Sequence, residues 1–171
     1  MSCLSNSSFP VNAGLEVEEA SPHVYHVRLN RPDRRNTFTM ELWKAMKTTF
    51  DALAEEPKCR SIVLSGNGKS FCAGIDLQQG MGEMIKMLTN NDIEVGRKGR
   101  ILRRAGVDLI TACDIRYASS DAVFSIREVE IGMTADVGTL NRLQKIVGND
   151  SWTRELAYTA KDIGADEALK F

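Results

Sequence analysis

The sequence predicts an α/β fold, because strand-like and helix-like segments follow one another along the chain. Val24–Leu29 alternates in the way a half-buried strand does. A segment after Thr39 repeats apolar residues every three or four positions, as an amphipathic helix does. Ser61–Leu64 is a short run rich in β-branched and apolar residues, which is typical of strands. A strand, helix, strand order is characteristic of α/β folds.

The first predicted strand has one face suited to a core. Tyr25, Val27 and Leu29 lie on one side of an extended chain, and the residues between them lie on the other side. The predicted helix starts after Thr39, whose hydroxyl is a suitable N-cap, and it ends before Pro57. Its apolar stripe is predicted to comprise Trp43, Met46, Phe50 and Leu53.

The rest of the chain is assigned more coarsely. Ser61–Leu64 runs into the glycine-containing segment Ser65–Gly68, which predicts a buried strand that delivers the chain into a loop. Residues 78–104 are polar, Met-rich and interrupted by glycine, which predicts a weak helix or a mobile segment. Further strands are predicted at 115–117 and 122–126, and further helices at 137–147, 152–159 and from 165 onward.

Length and composition indicate an ordinary globular protein. The 171 residues are 43% hydrophobic and 26% charged, which predicts one domain over residues 15–171. Residues 1–14 are rich in Ser and Asn without a periodic pattern, and they are predicted to form a mobile N-terminal arm. The net charge of −1 argues against nucleic acid as a partner, which would favour a basic excess.

Several other classes of protein are disfavoured by the sequence. The 4 cysteines are scattered and no histidine cluster accompanies them, so neither a metal site nor a disulfide framework is predicted. No apolar run is long enough for membrane insertion. Neither an Arg-rich transit peptide at the N-terminus nor a peroxisomal tripeptide at Ala168–Phe171 is visible, which leaves a cytoplasmic location open.

A glycine bend follows the third predicted element. The segment Ser70–Leu77 reads Ser-Phe-Cys-Ala-Gly-Ile-Asp-Leu. A glycine bend can expose a backbone N–H, and such donors stabilise negative charge that develops on a carbonyl oxygen by roughly 3 kcal/mol. The bend also fits a plain turn between a strand and a helix. A hydrolase nucleophile at Ser70 is disfavoured, because the G-x-S-x-G motif needs glycine where Cys72 stands.

Three carboxylates in the second half of the chain are candidates for acid/base chemistry. Asp108 falls in the first turn of a predicted helix, Glu128 follows a predicted strand, and Asp136 precedes another predicted helix. Each also has a simple structural interpretation: Asp108 as a first-turn acid, Glu128 as a solvated strand end and Asp136 as a helix cap. Carboxylates in different surroundings acquire different pKa values, so that one can accept a proton while another donates one.

The sequence around these acids resembles a known family. Residues 105–140, AGVDLITACDIRYASSDAVFSIREVEIGMTADVGTL, resemble the dienoyl-CoA isomerases of the enoyl-CoA hydratase/isomerase (crotonase) superfamily. The resemblance covers residues 15–171 and is interrupted between about Met81 and Arg104. It implies a crotonase-like spiral of ββα units that is incomplete, with one strand-helix unit and the C-terminal helical cap absent.

The resemblance implies specific roles for these residues. Ile75 and Ala105 correspond to the two backbone donors of an oxyanion hole, and Ala105 stands where the family usually has a Gly-Gly-Gly turn. Glu128 would remove a proton, Asp136 would return one, and Asp108 would position or polarise the substrate. Hydratases of the superfamily generally carry Glu where Asp108 and Asp136 stand. Substrate-binding positions are implied at Ala73, Gly74, Ile75, Asp76, Leu77 and Ala105.

The implied activity is conversion of a 3,5-dienoyl-CoA to a 2,4-dienoyl-CoA in fatty acid β-oxidation. No cofactor is implied, because coenzyme A is part of the substrate. The family also implies an acyl-CoA thioester as partner, a homo-oligomer that is a trimer or hexamer, and a mitochondrial or peroxisomal location. Two alternatives stay open: a catalytically impaired form that only binds acyl-CoA or family subunits, and an enoyl-CoA hydratase.

Overall fold

A computed structural model describes residues 13–76, 106–135 and 138–171 of the chain. The chain divides into two compact units, Met1–Asn90 and Asn91–Phe171. The predicted arm at residues 1–14 lies almost wholly outside the described residues. The predicted weak helix or mobile segment at 78–104 lies entirely outside them.

A three-stranded sheet organises the first unit. Its strands are β1 (Leu15–Ser21), β2 (Val24–Leu29) and β3 (Ser61–Gly66), in the order β1-β2-β3. The pair β1 and β2 is antiparallel, and the pair β2 and β3 is parallel. The parallel pair requires a crossover between β2 and β3, and the helix predicted after Thr39 lies in that connection.

The middle strand behaves as its alternation predicts. Tyr25, Val27 and Leu29 are buried, and the residues between them are half-buried. The strand β1 was not predicted, because its sequence LEVEEAS offers few apolar residues. Its acids instead face basic residues on β2, and Glu18 forms an ion pair with Arg28.

The crossover helix α1 spans Met40–Glu55, close to the predicted bounds. The Leu42 N–H donates to Thr39 Oγ1 at 3.3 Å, which confirms the predicted N-cap. The buried face is rotated by about one residue from the predicted stripe: Trp43 and Phe50 are only half-buried. The buried residues of the helix are Leu42, Ala45, Met46, Thr49 and Leu53.

The strand β3 is more exposed than its apolar sequence predicts. The Val63 side chain is 46% exposed. Within the part of the chain that the structure describes, β2 is the strand that pairs with β3, so β3 forms one edge of the sheet. The prediction of a buried strand is therefore wrong in this structure, although the strand itself is present.

Short elements build the second unit. They are, in chain order, α2 (Gly106–Ala112), β4 (Val123–Phe124), a 3₁₀ turn at Glu128–Ile131, a π-helical turn at Thr139–Leu143 that continues into α3 (Gln144–Val147), α4 (Asp150–Thr159), β5 (Ile163–Gly164) and α5 (Ala165–Ala168). The strands β4 and β5 pair antiparallel. The core of this unit consists of Ile126, Ala135, Trp152, Leu156, Ala157 and Ile163.

The helix α4 anchors this core. Asn149 caps it, since Asn149 Oδ1 accepts from the Trp152 N–H at 2.9 Å. The Trp152 ring stacks on Phe171 with 4.5 Å between ring centroids. The indole N–H of Trp152 donates to Glu167 at 3.1 Å. This bond satisfies the polar atom of a largely buried aromatic residue.

One predicted strand is wrong. No strand forms at residues 115–117, where Ile115 is 72% exposed and Tyr117 is 95% exposed. Strand propensity alone does not order a segment unless a neighbouring strand supplies hydrogen-bond partners. The prediction at 122–126 holds for Val123–Phe124, which pair with β5. None of the described helices is long and apolar enough to span a bilayer.

Candidate active site

A buried asparagine holds the turn between β2 and α1. Asn36 is 0% exposed and has a left-handed backbone with φ 55°. Its Oδ1 accepts from the Arg31 N–H at 2.8 Å. Its Nδ2 donates to the carbonyls of Asn67 at 2.9 Å and Ser70 at 2.7 Å. One side chain therefore fixes the turn to the loop that follows β3.

The same loop forms a parallel bridge with the residue before the Thr39 cap. The Phe38 N–H donates to the Gly74 carbonyl at 2.8 Å, and the Asp76 N–H donates to the Phe38 carbonyl at 2.9 Å. Ile75 lies between these two bonds, opposite Phe38. Successive peptide groups of an extended chain point to opposite sides, so the Ile75 N–H is directed away from Phe38.

The Ile75 amide is therefore a donor that this bend leaves unused in the described part of the chain. Within residues 13–76 it has no hydrogen-bond acceptor. Gly74 precedes it with φ 93°, a left-handed conformation that favours glycine. The donor role of Ile75 stays a prediction, and this bend leaves its N–H without an acceptor in residues 13–76.

A thiol lies inside the bend. Cys72 Sγ accepts from the Gly74 N–H at 3.3 Å. Burial raises the pKa of the Cys72 thiol to about 11. The thiol therefore stays neutral near pH 7, so Cys72 supports the backbone of the bend and does not supply a nucleophile. Of the other predicted substrate-binding residues, Ala73 is exposed and its N–H donates to the Arg35 carbonyl at 2.9 Å.

A buried ion pair fixes the residue after Ile75. Arg31 Nη2 donates to Asp76 Oδ2 at 3.0 Å, and Asp76 is 6% exposed. The guanidinium of Arg31 also bonds to the Thr37 carbonyl. Asp76 was predicted to contact substrate. In this structure its carboxylate is engaged by Arg31, which indicates a supporting role.

In the second unit, Asp108 is buried at the start of α2. It is 6% exposed and lies in the first turn of Gly106–Ala112, as predicted. Its Oδ1 accepts from the Thr139 N–H at 2.6 Å and from the Thr139 hydroxyl at 2.5 Å. The carboxylate thus binds the first residue of the π-helical turn, whose N–H groups have no partner within the helix.

Two further side chains hold the backbone of Asp108. Arg142 Nη2 donates to the Asp108 carbonyl at 2.9 Å, and Arg142 Nε donates to Thr111 Oγ1 at 3.2 Å. The Thr111 hydroxyl also donates to the Asp108 carbonyl, at 2.8 Å. The Arg142 guanidinium covers Gly138, where a Cβ atom would lie 2.2 Å from Cζ. We call Thr111, Thr139 and Arg142 the Asp108 clamp.

Glu128 opens the 3₁₀ turn after β4. The residue is half-buried and its Oε2 atom is shielded from solvent. Its carbonyl accepts from the Met133 N–H at 2.9 Å, which closes the turn. The neighbouring cation, Arg127, instead pairs with Glu130 at 3.0 Å and with Asp162 at 2.7 Å.

Three predicted site residues, Leu77, Ala105 and Asp136, lie outside the described residues. Ile75 belongs to the first unit, and Asp108 and Glu128 belong to the second. In the described ranges, no group of three or more His, Cys, Asp or Glu residues could hold a metal ion.

Sequence reasoning did not identify the residues that support the site. Arg31, Thr139 and Arg142 were not among its candidates. Thr139 follows Gly138 within the Ala-Asp-Val-Gly-Thr-Leu segment that contributed to the family resemblance, so the pattern contained it without indicating a role.

Comparison with known proteins identifies the family that this chain resembles. The family model described as Enoyl-CoA hydratase/isomerase matches residues 19–95 and 103–171. The mitochondrial Delta(3,5)-Delta(2,4)-dienoyl-CoA isomerase of Homo sapiens is 42% identical over 181 aligned positions, which cover 91% of this chain and 55% of the human protein. The peroxisomal enzyme of that name from Arabidopsis thaliana is 37% identical, covering 85% of this chain and 62% of its own length.

Solved structures agree with the family match. The crystal structure of enoyl-CoA hydratase from Bacillus anthracis aligns with a TM-score of 0.74 and 26% identity, covering 91% of this chain and 66% of that protein. The chain thus spans between about half and two thirds of the relatives that it matches. The human alignment of 181 positions is longer than the 171 residues of this chain, so that relative contains residues with no counterpart here.

Proposed function

The chain belongs to the enoyl-CoA hydratase/isomerase family and has the α/β fold of that family, and from this membership we propose that it acts on acyl-CoA thioesters as a dienoyl-CoA isomerase. The reaction moves the double bonds of a 3,5-dienoyl-CoA to the 2 and 4 positions. The observation that carries the proposal is the N–H of Ile75, which is directed away from Phe38 and lies between two backbone bonds to that residue.

The Ile75 amide has the chemistry that thioester activation needs. Removing a proton next to the thioester carbonyl places negative charge on the carbonyl oxygen, and a fixed N–H donor stabilises that charge. Preorganisation matters, because a donor that is already in place needs no rearrangement during the reaction. The turn held by Asn36 and the Arg31–Asp76 pair provide this rigidity. The second donor in the proposal is the Ala105 N–H.

Proton transfer is assigned to carboxylates. In the proposal, Glu128 takes a proton from the carbon next to the thioester carbonyl, and the electron pair moves into an extended enolate. Asp136 then gives a proton to the far carbon of that enolate, which completes the double-bond shift. Transfers of this kind by a placed side chain typically contribute about 10²–10⁴ in rate. Asp108 positions or polarises the substrate and is assigned neither proton transfer.

Relatives support an isomerase over a hydratase. The two dienoyl-CoA isomerases have 42% and 37% identity to this chain, whereas the short-chain-enoyl-CoA hydratase of Clostridium acetobutylicum has 32%. Asp108 and Asp136, with Glu128 in addition, suit a proton shuttle more than the addition of water. The relatives' compartments support a mitochondrial or a peroxisomal location as the corresponding proposal.

The proposed reaction needs only proton transfer and charge stabilisation. It involves no change of oxidation state, and coenzyme A enters as part of the substrate. Assembly into a homo-oligomer, a trimer or hexamer, is part of the same proposal. The fatty acid β-oxidation pathway is the setting in which the substrate would arise.

A specific observation also favours a second candidate, a catalytically impaired form that binds acyl-CoA or family subunits. The human relative has aligned residues that this chain lacks, and the family model leaves residues 96–102 unmatched. The unmatched residues 96–102 lie just before Ala105, the proposed second oxyanion donor. A chain with one donor misplaced would bind thioesters but turn them over slowly.

Single-turnover assays separate the two candidates. Excess protein is mixed with 3,5-dienoyl-CoA, conversion is followed by the absorbance of the conjugated 2,4-dienoyl product, and binding is measured by calorimetry with a saturated acyl-CoA. Conversion together with binding supports the isomerase. Binding without conversion supports the impaired form. No binding of either thioester contradicts both the isomerase and an impaired form that binds acyl-CoA.

A further inference from the structure

Both donors of Thr139 converge on one oxygen of Asp108. The backbone N–H lies 2.6 Å from Oδ1 and the hydroxyl oxygen lies 2.5 Å from the same Oδ1. Both residues are buried, with Asp108 6% exposed and Thr139 1% exposed. The two residues are 31 positions apart in sequence, so this contact joins α2 to the π-helical turn through a single carboxylate oxygen.

The contact decides which oxygen of Asp108 can meet a substrate. A carboxylate oxygen has two lone pairs, and at Oδ1 both accept from Thr139. A backbone N–H donates at every pH and cannot accept, so Oδ1 cannot be the atom that carries a transferable proton while the contact holds. Of the two carboxylate oxygens, Oδ2 is the one that Thr139 does not contact.

Resting on the function proposed above, we propose that Thr139 is a positioning residue for Asp108, which it holds so that the carboxylate acts through Oδ2 alone. Nothing in the family resemblance assigns this role to Thr139. Asp108 then orients or polarises from a fixed oxygen, while Glu128 and Asp136 move protons. Fixing a charged group within a few tenths of an ångström is what distinguishes a working acid/base site from a loose one.

The rest of the Asp108 clamp supports this interpretation. Arg142 and Thr111 both donate to the Asp108 carbonyl, at 2.9 Å and 2.8 Å, so the backbone is fixed as well as the side chain. The Arg142 guanidinium lies 3.9 Å from Oδ1 of Asp108, which is the same oxygen that accepts from Thr139. The interactions of Thr139 and Arg142 with the carboxylate are thus on Oδ1.

The contact can be tested without any catalytic activity. In the ¹⁵N-labelled 171-residue chain, the Thr139 amide proton should resonate far downfield, because it donates over a short distance to a carboxylate oxygen. Asp108→Asn should move this resonance upfield, since a neutral amide oxygen is a weaker acceptor. An unchanged Thr139 resonance in Asp108→Asn overturns the proposal, whatever the chain does to acyl-CoA.

The positioning role is tested by kinetics with a matched control. Thr139→Val keeps the shape and the backbone N–H but loses the hydroxyl donor, and Thr139→Ser keeps the hydroxyl. Thr153→Val is the control, because Thr153 is also 1% exposed and its hydroxyl donates to a carbonyl, that of Asn149, at 3.0 Å. Thr139→Val should lower kcat roughly 10- to 100-fold with little change in KM, which corresponds to losing one hydrogen bond to a charged group.

The outcomes separate a positioning role from a structural one. Thr139→Ser should restore kcat, and Thr153→Val should lower the melting temperature about as much as Thr139→Val while leaving kcat unchanged. Equal kcat in Thr139→Val and the parent chain overturns the proposal. A parent chain that does not isomerise dienoyl-CoA contradicts the proposed function instead, and the amide resonance then decides whether Thr139 holds Asp108.

Discussion

Arg31 and Asp76 form a buried ion pair with 3.0 Å between Nη2 and Oδ2, next to the amide of Ile75. Their side chains are only 17% and 6% exposed. The pair joins the turn that precedes α1 to the end of the loop that follows β3. Because Asp76 is covalently adjacent to Ile75, this pair limits how far the Ile75 N–H can move.

Removing one partner of this pair should destabilise the chain strongly. Arg31→Met removes the charged partner of the buried Asp76 carboxylate, which typically costs about 3–5 kcal/mol. The double variant Arg31→Met, Asp76→Asn should recover part of this loss, because both charges of the pair are then removed. Urea denaturation of the two single variants and the double variant measures the coupling. Strictly additive losses would show that the two side chains do not interact.

The role of Asn36 predicts an asymmetry between two similar substitutions. Asn36→Asp keeps the oxygen that accepts from Arg31 but replaces the Nδ2 donor with a second oxygen facing the carbonyls of Asn67 and Ser70. We expect a loss of about 2 kcal/mol or more in unfolding free energy. Asn149→Asp is the control, because Asn149 acts as a helix cap through its oxygen, which Asp supplies equally well.

Thermal melts of both variants test this asymmetry. Asn149→Asp should melt near the parent temperature, and Asn36→Asp should melt several degrees lower. Similar melting temperatures for the two variants would mean that the donor group of Asn36 does not hold the loop.

The raised pKa of Cys72 predicts slow alkylation. With a pKa of about 11, only about one thiol in 10³ is ionised at pH 8, and the thiolate is the reactive form. Iodoacetamide labelling of the Cys72 peptide, read by mass spectrometry, should be slow in the folded chain and fast in urea. Equally fast labelling in both states would contradict the burial of this thiol.

The raised pKa of Cys72 also makes the stability of the folded chain depend on pH. Folding raises the pKa of Cys72 above its unfolded value of 9.0, so this contribution to stability is fully present below pH 9 and is lost as the pH rises toward about 11. Cys72→Ala removes the ionisable group. It should therefore flatten the decline of stability in that pH range.

The predictions from sequence succeeded where a local pattern determines the structure. The alternation of Val24–Leu29 is enough to define β2 and its buried face. The hydroxyl of Thr39 followed by helix-forming residues defines the start of α1. The position of Asp108 in the first turn of α2 was likewise predictable, because helix starts favour acids.

The predictions failed where distant residues determine the structure. The acid-rich strand β1 pairs through contacts with β2 that its own sequence does not reveal. Ile115 and Tyr117 have strand-forming side chains but form no strand in the described chain. The contact of Thr139 with Asp108 spans 31 positions, so no local pattern indicates it. Long-range partners are therefore the information that sequence reasoning lacked.

The proton-transfer proposal predicts a selective loss of turnover. Glu128→Gln and Asp136→Asn should each lower kcat by about 10²–10⁴ with a much smaller effect on thioester binding. Glu130→Gln is the matched control, because Glu130 lies in the same 3₁₀ turn but is exposed and pairs with Arg127. Unchanged isomerisation by both Glu128→Gln and Asp136→Asn would remove the acid/base assignment.

The interruption before Ala105 predicts low intrinsic activity. Losing one oxyanion donor costs roughly 10²–10³ in rate, and the human relative has residues that this chain lacks. A variant with the strand and Gly-Gly-Gly turn that the family resemblance implies, inserted before Ala105, should therefore turn over faster by about that factor. Equal rates would show that Ala105 already supplies the donor.

The most direct measurement of the central claim is product analysis in D₂O. Excess 171-residue chain, or its segment-restored variant, is incubated with 3,5-dienoyl-CoA, and the product is examined by mass spectrometry and NMR. The account predicts a 2,4-dienoyl-CoA that carries deuterium at the far carbon of the former diene, because the returned proton comes from a carboxyl group that exchanges with solvent. A product heavier by one water, or no conversion by the restored variant, would contradict the assignment of this chain as a dienoyl-CoA isomerase.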